Sequence, residues 1–408
     1  MASPIAASPP LRIAFLLDSF PALSETFVLN QITGLLDLGH EVDIYATWAG
    51  PDRRVHPEVG AYRLLERVAY PEAGGRARLD ALRAVLHRGL RGVVAVLDGR
   101  LDRPRLRLLP VCLRRFRERR YQIVQCHFAA NGALGAVLKE LGAPECKVVT
   151  MFHRYDLRDL EARRGSYAHL QRRGDCFLAI SRYTRARLER AGFPAERVAD
   201  HPVGIQLSKL PFRGVREPRP EPLELLTVAR LAPQKGLAHG LGAVHRLVAE
   251  RPSLRIRYTV VGGGPLEAEL RALVASLGLD GVVRFAGEAD QAQVAGAMQA
   301  ADLFLLPSVD EVLPLALMEA QAVGLPVVTT DVGGIREIVE DGVSGFVVPP
   351  GDPAALAAAL GRLLDRPEIW RAMGQAGRRL MEERYDVRVL NQRLVEIYRS
   401  LLGAEAFR

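Results

Sequence analysis

Short apolar runs of strand length recur along this chain, each followed by a turn and a stretch with helical spacing. In the first half they are "RIAFLLD" (12–18), "EVDIYAT" (41–47), "QIVQCHF" (122–128), "KVVTMFH" (147–153) and "CFLAIS" (176–181). In the second half they are "LELLTVAR" (223–230), "IRYTVVG" (256–262), "VVRFAG" (282–287), "LFLLP" (303–307) and "PVVTT" (326–330). Such runs belong to strands buried on both faces, and helix-length connections favour parallel order. Helices are expected over about 26–38, 132–141, 236–250, 266–277 and 290–300, then from Pro314 to Val323, with a long helical tail. The expected class is α/β, with two Rossmann-like parallel sheets.

The alternation breaks once, at "FRGVREPRPEP" (212–222), where three prolines occupy the last five positions. Proline removes backbone donors and disfavours helix, so 213–222 is expected as a linker. The domains are then 1–212 and 223–385, with a helix over 386–408 that can return to the N-terminal domain. Two such domains imply a cleft between them, and in open parallel sheets ligands sit beyond the carboxyl ends of the strands.

Composition narrows the function classes. With 408 residues, 49% hydrophobic and 25% charged, the chain can bury two or three cores. It has no apolar run of about 18 residues, and "MASPIAASPP" lacks a signal peptide's basic and apolar segments. Cys112, Cys126, Cys146 and Cys176 form no CxxC pair, which fits buried thiols in a reducing cytosol. The net charge of +8 is concentrated: residues 76–120 hold fourteen Arg against Asp80, Asp98, Asp102 and Glu118, a balance of +10 that leaves −2 elsewhere. Apolar residues interleave there, as in "LDALRAVLHRGLRGVVAVL". Either an anionic membrane surface or a solvated helical face accounts for them, and nucleic acid fits less well. The expected location is the cytoplasm, with peripheral contact at the inner face of the cell membrane.

Candidate site residues stand at the strand ends. Gly262, Gly263 and Gly264, followed by Pro265, form either a structural tight turn or a close approach to a nucleotide. Glu267 stands where a dinucleotide fingerprint needs its third glycine, which weakens a dehydrogenase reading. Arg230 and Lys235, at the head of a helix, are either a diphosphate clamp or two surface cations. His127, His153 and Asp156 follow first-half strands and are either scaffold or site. The stretch "SVDEVLPLALMEA" (308–320) places Glu311 in a loop and Glu319 in the second turn of an apolar helix. A carboxylate so placed needs donors, and a ribose diol supplies two. Glu311 is expected at the loop tip, reaching outward toward hydroxyls. Both acids can also be read as helix-start residues favoured by the macrodipole, which suits Glu311 better than Glu319.

Together "VARLAPQKG" (228–236), "VVGGGPL" (260–266), the Glu311/Glu319 spacing and "AQAVGLPVVTTDVGGIREIVEDGVSGFVVPPGD" (320–352) resemble the retaining glycosyltransferases of family 4. "SFPALSETFVLNQITGLLDLGHEVDIYA" (19–46) and "HFAANGALGA" (127–136) resemble the branch acting in colanic-acid-type and other exopolysaccharide assembly. The resemblance runs from Leu11 to about Leu402 and is weakest in the basic block.

It implies a GT-B fold, two Rossmann-like domains facing across a cleft. The implied donor is a nucleoside-diphosphate sugar with no further cofactor, and the acceptor a lipid-linked or saccharide intermediate. Arg230 and Lys235 would neutralise the diphosphate, Glu319 would accept the ribose hydroxyls, and Glu311 would accept hydroxyls of the donor sugar. Backbone N–H groups around Leu313 and Leu315 would meet the phosphate or sugar. His153, with Asp156 nearby, would lie at the sugar's other edge. No Asp-x-Asp with a partner acid is placed for magnesium, so no metal is expected. Two departures stand out: Val312 where members commonly have glycine, implying a narrower donor pocket, and Gln206 where they commonly have aspartate. Rival readings are a nucleotide-sugar epimerase or hydrolase, and a catalytically idle subunit that senses nucleotide.

Overall fold

The structure is a computed structural model and describes residues 9–23, 25–50, 55–71, 77–86, 101–162, 165, 167–214 and 222–403. The chain forms two compact units, residues 1–202 with 387–408, and residues 203–386. The second unit thus begins at Val203, ahead of the expected linker. Residues 215–221 of that linker, and residues 87–100 of the basic block, lie outside the described residues.

The first unit is built on a parallel sheet of β1 (Arg12–Phe20), β2 (Glu41–Ala49), β3 (Val68–Ala69), β4 (Ile123–His127), β5 (Lys147–Phe152), β6 (Cys176–Ala179) and β7 (Val198–Asp200), in the order β3-β2-β1-β4-β5-β6-β7. Ile13 through Leu17 are fully buried, as an apolar run covered on both faces requires. β3 and β7 were not expected. Each is only two or three residues long and carries too little pattern to stand out.

The second unit holds β8 (Leu223–Val228), β9 (Ile256–Val261), β10 (Val283–Gly287), β11 (Leu303–Leu306), β12 (Val327–Thr330) and β13 (Gly345–Val348), ordered β10-β9-β8-β11-β12-β13 and all parallel. β13 is also unexpected, being four residues that open on a glycine and stop before Pro349. The order of both sheets reverses between the first strand and the fourth, which leaves a crevice at the carboxyl edge of each. These are two Rossmann-like α/β units.

The arginine-rich helix Arg103–Arg119 begins at Asp102, whose side chain accepts the Arg105 N–H at 3.0 Å. Its Leu106, Leu108, Leu109, Val111, Cys112, Leu113 and Phe116 are buried in one core with Tyr45, Val124 and Leu134. The apolar residues between these arginines therefore meet the unit's own core, not an outside surface. Arg114, Arg117, Arg119 and Arg120 are exposed.

The helical tail is three helices, Pro353–Asp365, Ile369–Arg384 and Val387–Leu402. The last belongs to the first unit, burying Leu390, Leu394 and Tyr398 at four-residue spacing. Tyr398 donates to Gln125 Oε1 at 2.8 Å and Asn391 Nδ2 to the Asn30 carbonyl at 3.0 Å. All four cysteines are free and buried, and burial pushes the Cys146 thiol up to about 12. No described helix is long and apolar enough to cross a membrane.

Candidate functional site

In the second unit the loops after β8 and β11 meet where the strand order reverses. A short turn over Pro233–Lys235 ends at Gly236, with φ 59°, where an added Cβ would come within 2.1 Å of the Pro307 carbonyl oxygen. Only glycine fits that approach. The Gln234 carbonyl accepts from the N–H groups of Val309, at 2.9 Å, and Asp310, at 3.3 Å. This stitching brings Lys235 against Glu311: Lys235 Nζ pairs with Glu311 Oε1, and Ser308 Oγ donates to the same oxygen at 2.9 Å.

Glu311 is 6% exposed, so it does not reach outward from a loop tip as expected. The cation drawn in by Gln234's turn holds it down. Both of its bonds fall on Oε1. Oε2 has no partner among the described residues and is not sealed from solvent. Arg230, at the start of the same loop, is exposed.

The helix Leu315–Val323 starts after Pro314 and stops at Gly324. The N–H groups of Leu313, Leu315 and Ala316 find no acceptor among the described residues, and Pro314 has none to give. Such a helix head carries partial positive charge and open donors. One turn on, Glu319 has no hydrogen-bond partner among the described residues, and burial pushes its carboxyl up to about 7. The side chain is half-buried, so an ionised carboxylate there carries a desolvation cost that donors from a ligand would offset.

The glycine run plays a packing part. A Cβ on Gly262 would lie 2.0 Å from the Ala229 carbonyl oxygen, and one on Gly264 2.5 Å from that of Leu231. Leu231 N–H bonds the Gly263 carbonyl at 2.8 Å, so the run seats the backbone just after β8. The N–H groups of Gly263 and Gly264 meet no acceptor among the described residues.

Two family models match the chain: Glycosyltransferase Family 4 over residues 24–209 and Glycosyl transferases group 1 over residues 211–380. The chain is 34% identical over 410 residues to WcaL of Escherichia coli, named for colanic acid biosynthesis, covering 96% of this chain and 100% of that one. It is 33% identical over 409 residues to the amylovoran biosynthesis glycosyltransferase AmsK of Erwinia amylovora, again covering 96% and 100%. The chain belongs to glycosyltransferase family 4. Its fold matches solved structures of low identity: Anabaena HepE in complex with UDP, with TM-score 0.74 and 18% identity over 95% of this chain and 99% of that one, and sucrose-phosphate synthase from Thermosynechococcus elongatus, with TM-score 0.73 and 20% identity over 97% and 100%. The two Rossmann-like sheets are therefore those of a GT-B glycosyltransferase.

The first unit of this glycosyltransferase carries a second cluster, also at the reversal of its strand order. His127, the last residue of β4, is fully buried, and both ring nitrogens are taken: Nε2 lies 3.1 Å from Gln31 Oε1 and Nδ1 3.0 Å from His153 Nε2. Expected as a ligand contact, His127 has no nitrogen left to offer one. His153, just past β5, is 7% exposed. Burial lowers both imidazoles, His153 to about 3, so both are neutral.

Asp156 is likewise committed. Its Oδ2 accepts the His153 N–H at 2.6 Å and its Oδ1 the Ala129 N–H at 2.8 Å, joining the heads of the helices Arg154–Ala162 and Ala129–Leu141. It completes half of a capping box and holds the His153 backbone, and at 4% exposure it serves the scaffold first. Burial pushes its carboxyl up to about 7 while the two backbone bonds pull the other way.

Sequence reasoning missed Ser308, Gln31 and the group of Asp18, Arg105 and Asn131. There Arg105 pairs with Asp18 and Asp102, and Asn131 Nδ2 donates to Asp18 Oδ1 at 2.8 Å. Asp18 and Ser308 lie at strand ends, where a signal existed. Gln31 and Arg105 lie inside helices, where none did. Of the two departures, Val312 is 3% exposed, tucked into its unit, and Gln206 Oε1 is buried without a partner among the described residues. Among the described residues no three His, Cys, Asp or Glu side chains converge as a metal site.

Proposed function

We propose that this glycosyltransferase moves a sugar from a nucleoside-diphosphate sugar onto a lipid-linked or polysaccharide intermediate, with retention at the anomeric carbon and without a metal. The observation that carries the reading is the set of unmet groups in the second unit. Glu319, whose carboxylate meets no donor among the described residues, follows by one turn the amides of Leu313, Leu315 and Ala316, which meet no acceptor among them. A nucleotide sugar satisfies both. Its ribose diol donates to Glu319, and its phosphate or sugar oxygens accept from the amides. Arg230 and Lys235 neutralise the diphosphate, and the open Oε2 of Glu311 accepts a hydroxyl of the donor sugar. His153 contacts the sugar.

In the transfer step the bond from the anomeric carbon to the phosphate oxygen breaks as the acceptor oxygen bonds on the same face. The acceptor's proton passes to the departing phosphate oxygen. The charge that grows on the diphosphate is met by Arg230, Lys235 and the helix head, the electrostatic task a metal would otherwise take. A carboxylate nucleophile is not needed.

Support for the acceptor class comes from the relatives named for colanic acid and amylovoran biosynthesis. Support for a nucleoside-diphosphate donor comes from the UDP complex of HepE. We propose further that Arg114, Arg117, Arg119 and Arg120 contact an anionic membrane surface, since the apolar side of their helix is spent in the core. Basic residues near an anionic surface contribute about 1 kcal/mol each.

The deciding assay incubates the enzyme with radiolabelled sugar nucleotides, with and without membrane extract, in EDTA. Labelled lipid or polysaccharide is the expected result. Acceptor-free turnover would identify a hydrolase or epimerase, and binding without turnover a sensor. Neutralising the four arginines should release the protein from anionic vesicles at low salt. If the native protein ignores such vesicles, the membrane part is withdrawn.

A further inference from the structure

We infer that Gln31 and His127 form a fixed hydrogen-bond relay that holds His153 as its Nε2–H tautomer, so that His153 presents an Nδ1 lone pair and selects a hydroxyl at that point. The ligand half of this inference rests on the sugar-transfer reading; the tautomer half does not.

The direction of the relay follows from its far end. Gln31 Nε2 lies 3.3 Å from Met151 Sδ. A thioether can only accept, so that end of the amide is the NH2, and Oε1 faces His127. His127 Nε2 must then carry the proton it donates to Oε1 at 3.1 Å. A neutral imidazole has one N–H, so His127 Nδ1 is an acceptor, and the proton in its 3.0 Å bond to His153 comes from His153 Nε2. That leaves His153 Nδ1 bare. No described group bonds it, and it is not among the described side-chain atoms both sealed and unpartnered.

The packing is consistent with a held ring. The His127 and His153 rings are 14° from coplanar with centroids 5.3 Å apart, the arrangement of an edge-to-edge N–H···N bond and not of a face-to-face stack. Phe27 and Phe128 close on His153 with centroids at 4.6 and 4.8 Å. Phe128 holds a positive φ of 71°, an uncommon conformation for a bulky residue, and thereby lays its ring there. Asp156 pins the His153 backbone. Such a ring can accept from a hydroxyl but cannot donate to an oxyanion or carbonyl through the open nitrogen. Gln31 and His127 act through His153 and are positioning residues.

The test labels histidine with 15N in the full-length protein and reads ring tautomers from long-range 1H–15N correlations, assigning His153 by its loss in His153→Gln. The expected result is Nε2–H for both His127 and His153. An Nδ1–H pattern at His153 overturns the relay, whatever the protein's activity. Gln31→Leu removes the acceptor and should raise the Nδ1–H form of His153. It should also lower kcat/KM by about 10- to 100-fold with nucleoside-diphosphate Kd unchanged. Gln31→Glu keeps an acceptor for His127 and should restore both the Nε2–H pattern and most of the rate. A Gln31→Leu protein that keeps the native pattern and rate overturns the proposal. Should that variant not fold, the native spectrum still decides the tautomer. If no sugar nucleotide turns over, the transfer reading fails while the tautomer result stands by itself.

Discussion

The two units share a strand order and reverse it at the same place, yet they furnish the two crevices in opposite ways. At the β8/β11 reversal the groups are charged and, among the described residues, partly unmet: a lysine bonded to one oxygen of Glu311, amides without acceptors, and Glu319 without donors. At the β1/β4 reversal most of the cluster's ionisable groups are met, the Nδ1 of His153 apart. His127 is bonded at both nitrogens, Asp156 at both oxygens, and Arg105 by two acids. Unmet polar groups at depth are costly, so a fold keeps them where a ligand supplies the missing partners. Met groups do another job: they fix one geometry. On this reading the second unit binds and the first positions.

The sharpest way to break that contrast is at Lys235 and Glu311. If Lys235 meets the departing diphosphate as proposed, Lys235→Ala should lower turnover about 100- to 1,000-fold. Glu311→Ala should cut turnover by a similar factor for a different reason, the lost contact to the donor sugar. It also frees Lys235 from its intramolecular pair, so nucleoside-diphosphate affinity should stay level or rise. Calorimetry with the nucleoside diphosphate beside turnover on both variants reads the split. Loss of nucleotide affinity in Glu311→Ala would contradict the division of roles.

Next in size is Glu319→Ala. Removing a charged hydrogen-bonding group costs on the order of 1.5–3 kcal/mol, so affinity for bare nucleoside diphosphate and for the full donor should both fall about 10- to 150-fold. A loss confined to the full donor would place Glu319 at the sugar instead of the ribose.

Why the second unit was the more readable in sequence follows from the same contrast. Its site is made of loop and helix-head residues at strand ends, and chemistry there leaves local marks: a proline opening a helix, an acid in an apolar run, cations before a glycine. The first unit's cluster is assembled from β4, β5 and the helix Thr26–Asp37, with Gln31 and His127 96 positions apart. Nothing local marks Gln31 as a partner, and only the closed sheet brings it to His127. The same limit explains Glu311. Its loop position was legible, but its pairing with Lys235, 76 residues away, was not. The alternation of elements was legible because each buried strand announces itself. The two- to four-residue strands β3, β7 and β13 fell below what a periodic pattern can carry.

Asp156 tests the positioning half. Asp156→Ala strips the acceptor from two buried N–H groups, Ala129 and His153, and should destabilise the protein by about 2 kcal/mol by denaturant unfolding, with nucleoside-diphosphate affinity retained. Asp156→Asn keeps one acceptor oxygen and should recover part of the loss. A stable Asp156→Ala protein with weakened nucleotide binding would move this residue from scaffold to site.

The smallest expected effect is a gain. Burial raises the folded-state pKa of Glu319 from 4.5 to about 7, so between those values the folded chain holds a proton that the unfolded chain has released. Stability attributable to this group therefore falls as pH rises through that window, by up to about 1.4 kcal/mol per pH unit for a full shift. Glu319→Gln cannot titrate. At pH 5 it should match the native protein, and at pH 8 it should be more stable by about 1–2 kcal/mol, a discount from the full shift because the side chain is partly exposed. Saturating nucleoside diphosphate should shrink or reverse that gap at pH 8, since a ribose diol on the native carboxylate replaces the donors the fold withholds. A gap that is flat with pH would mean that Glu319 is ionised and satisfied without ligand, and the second unit would lose the feature that most separates it from the first.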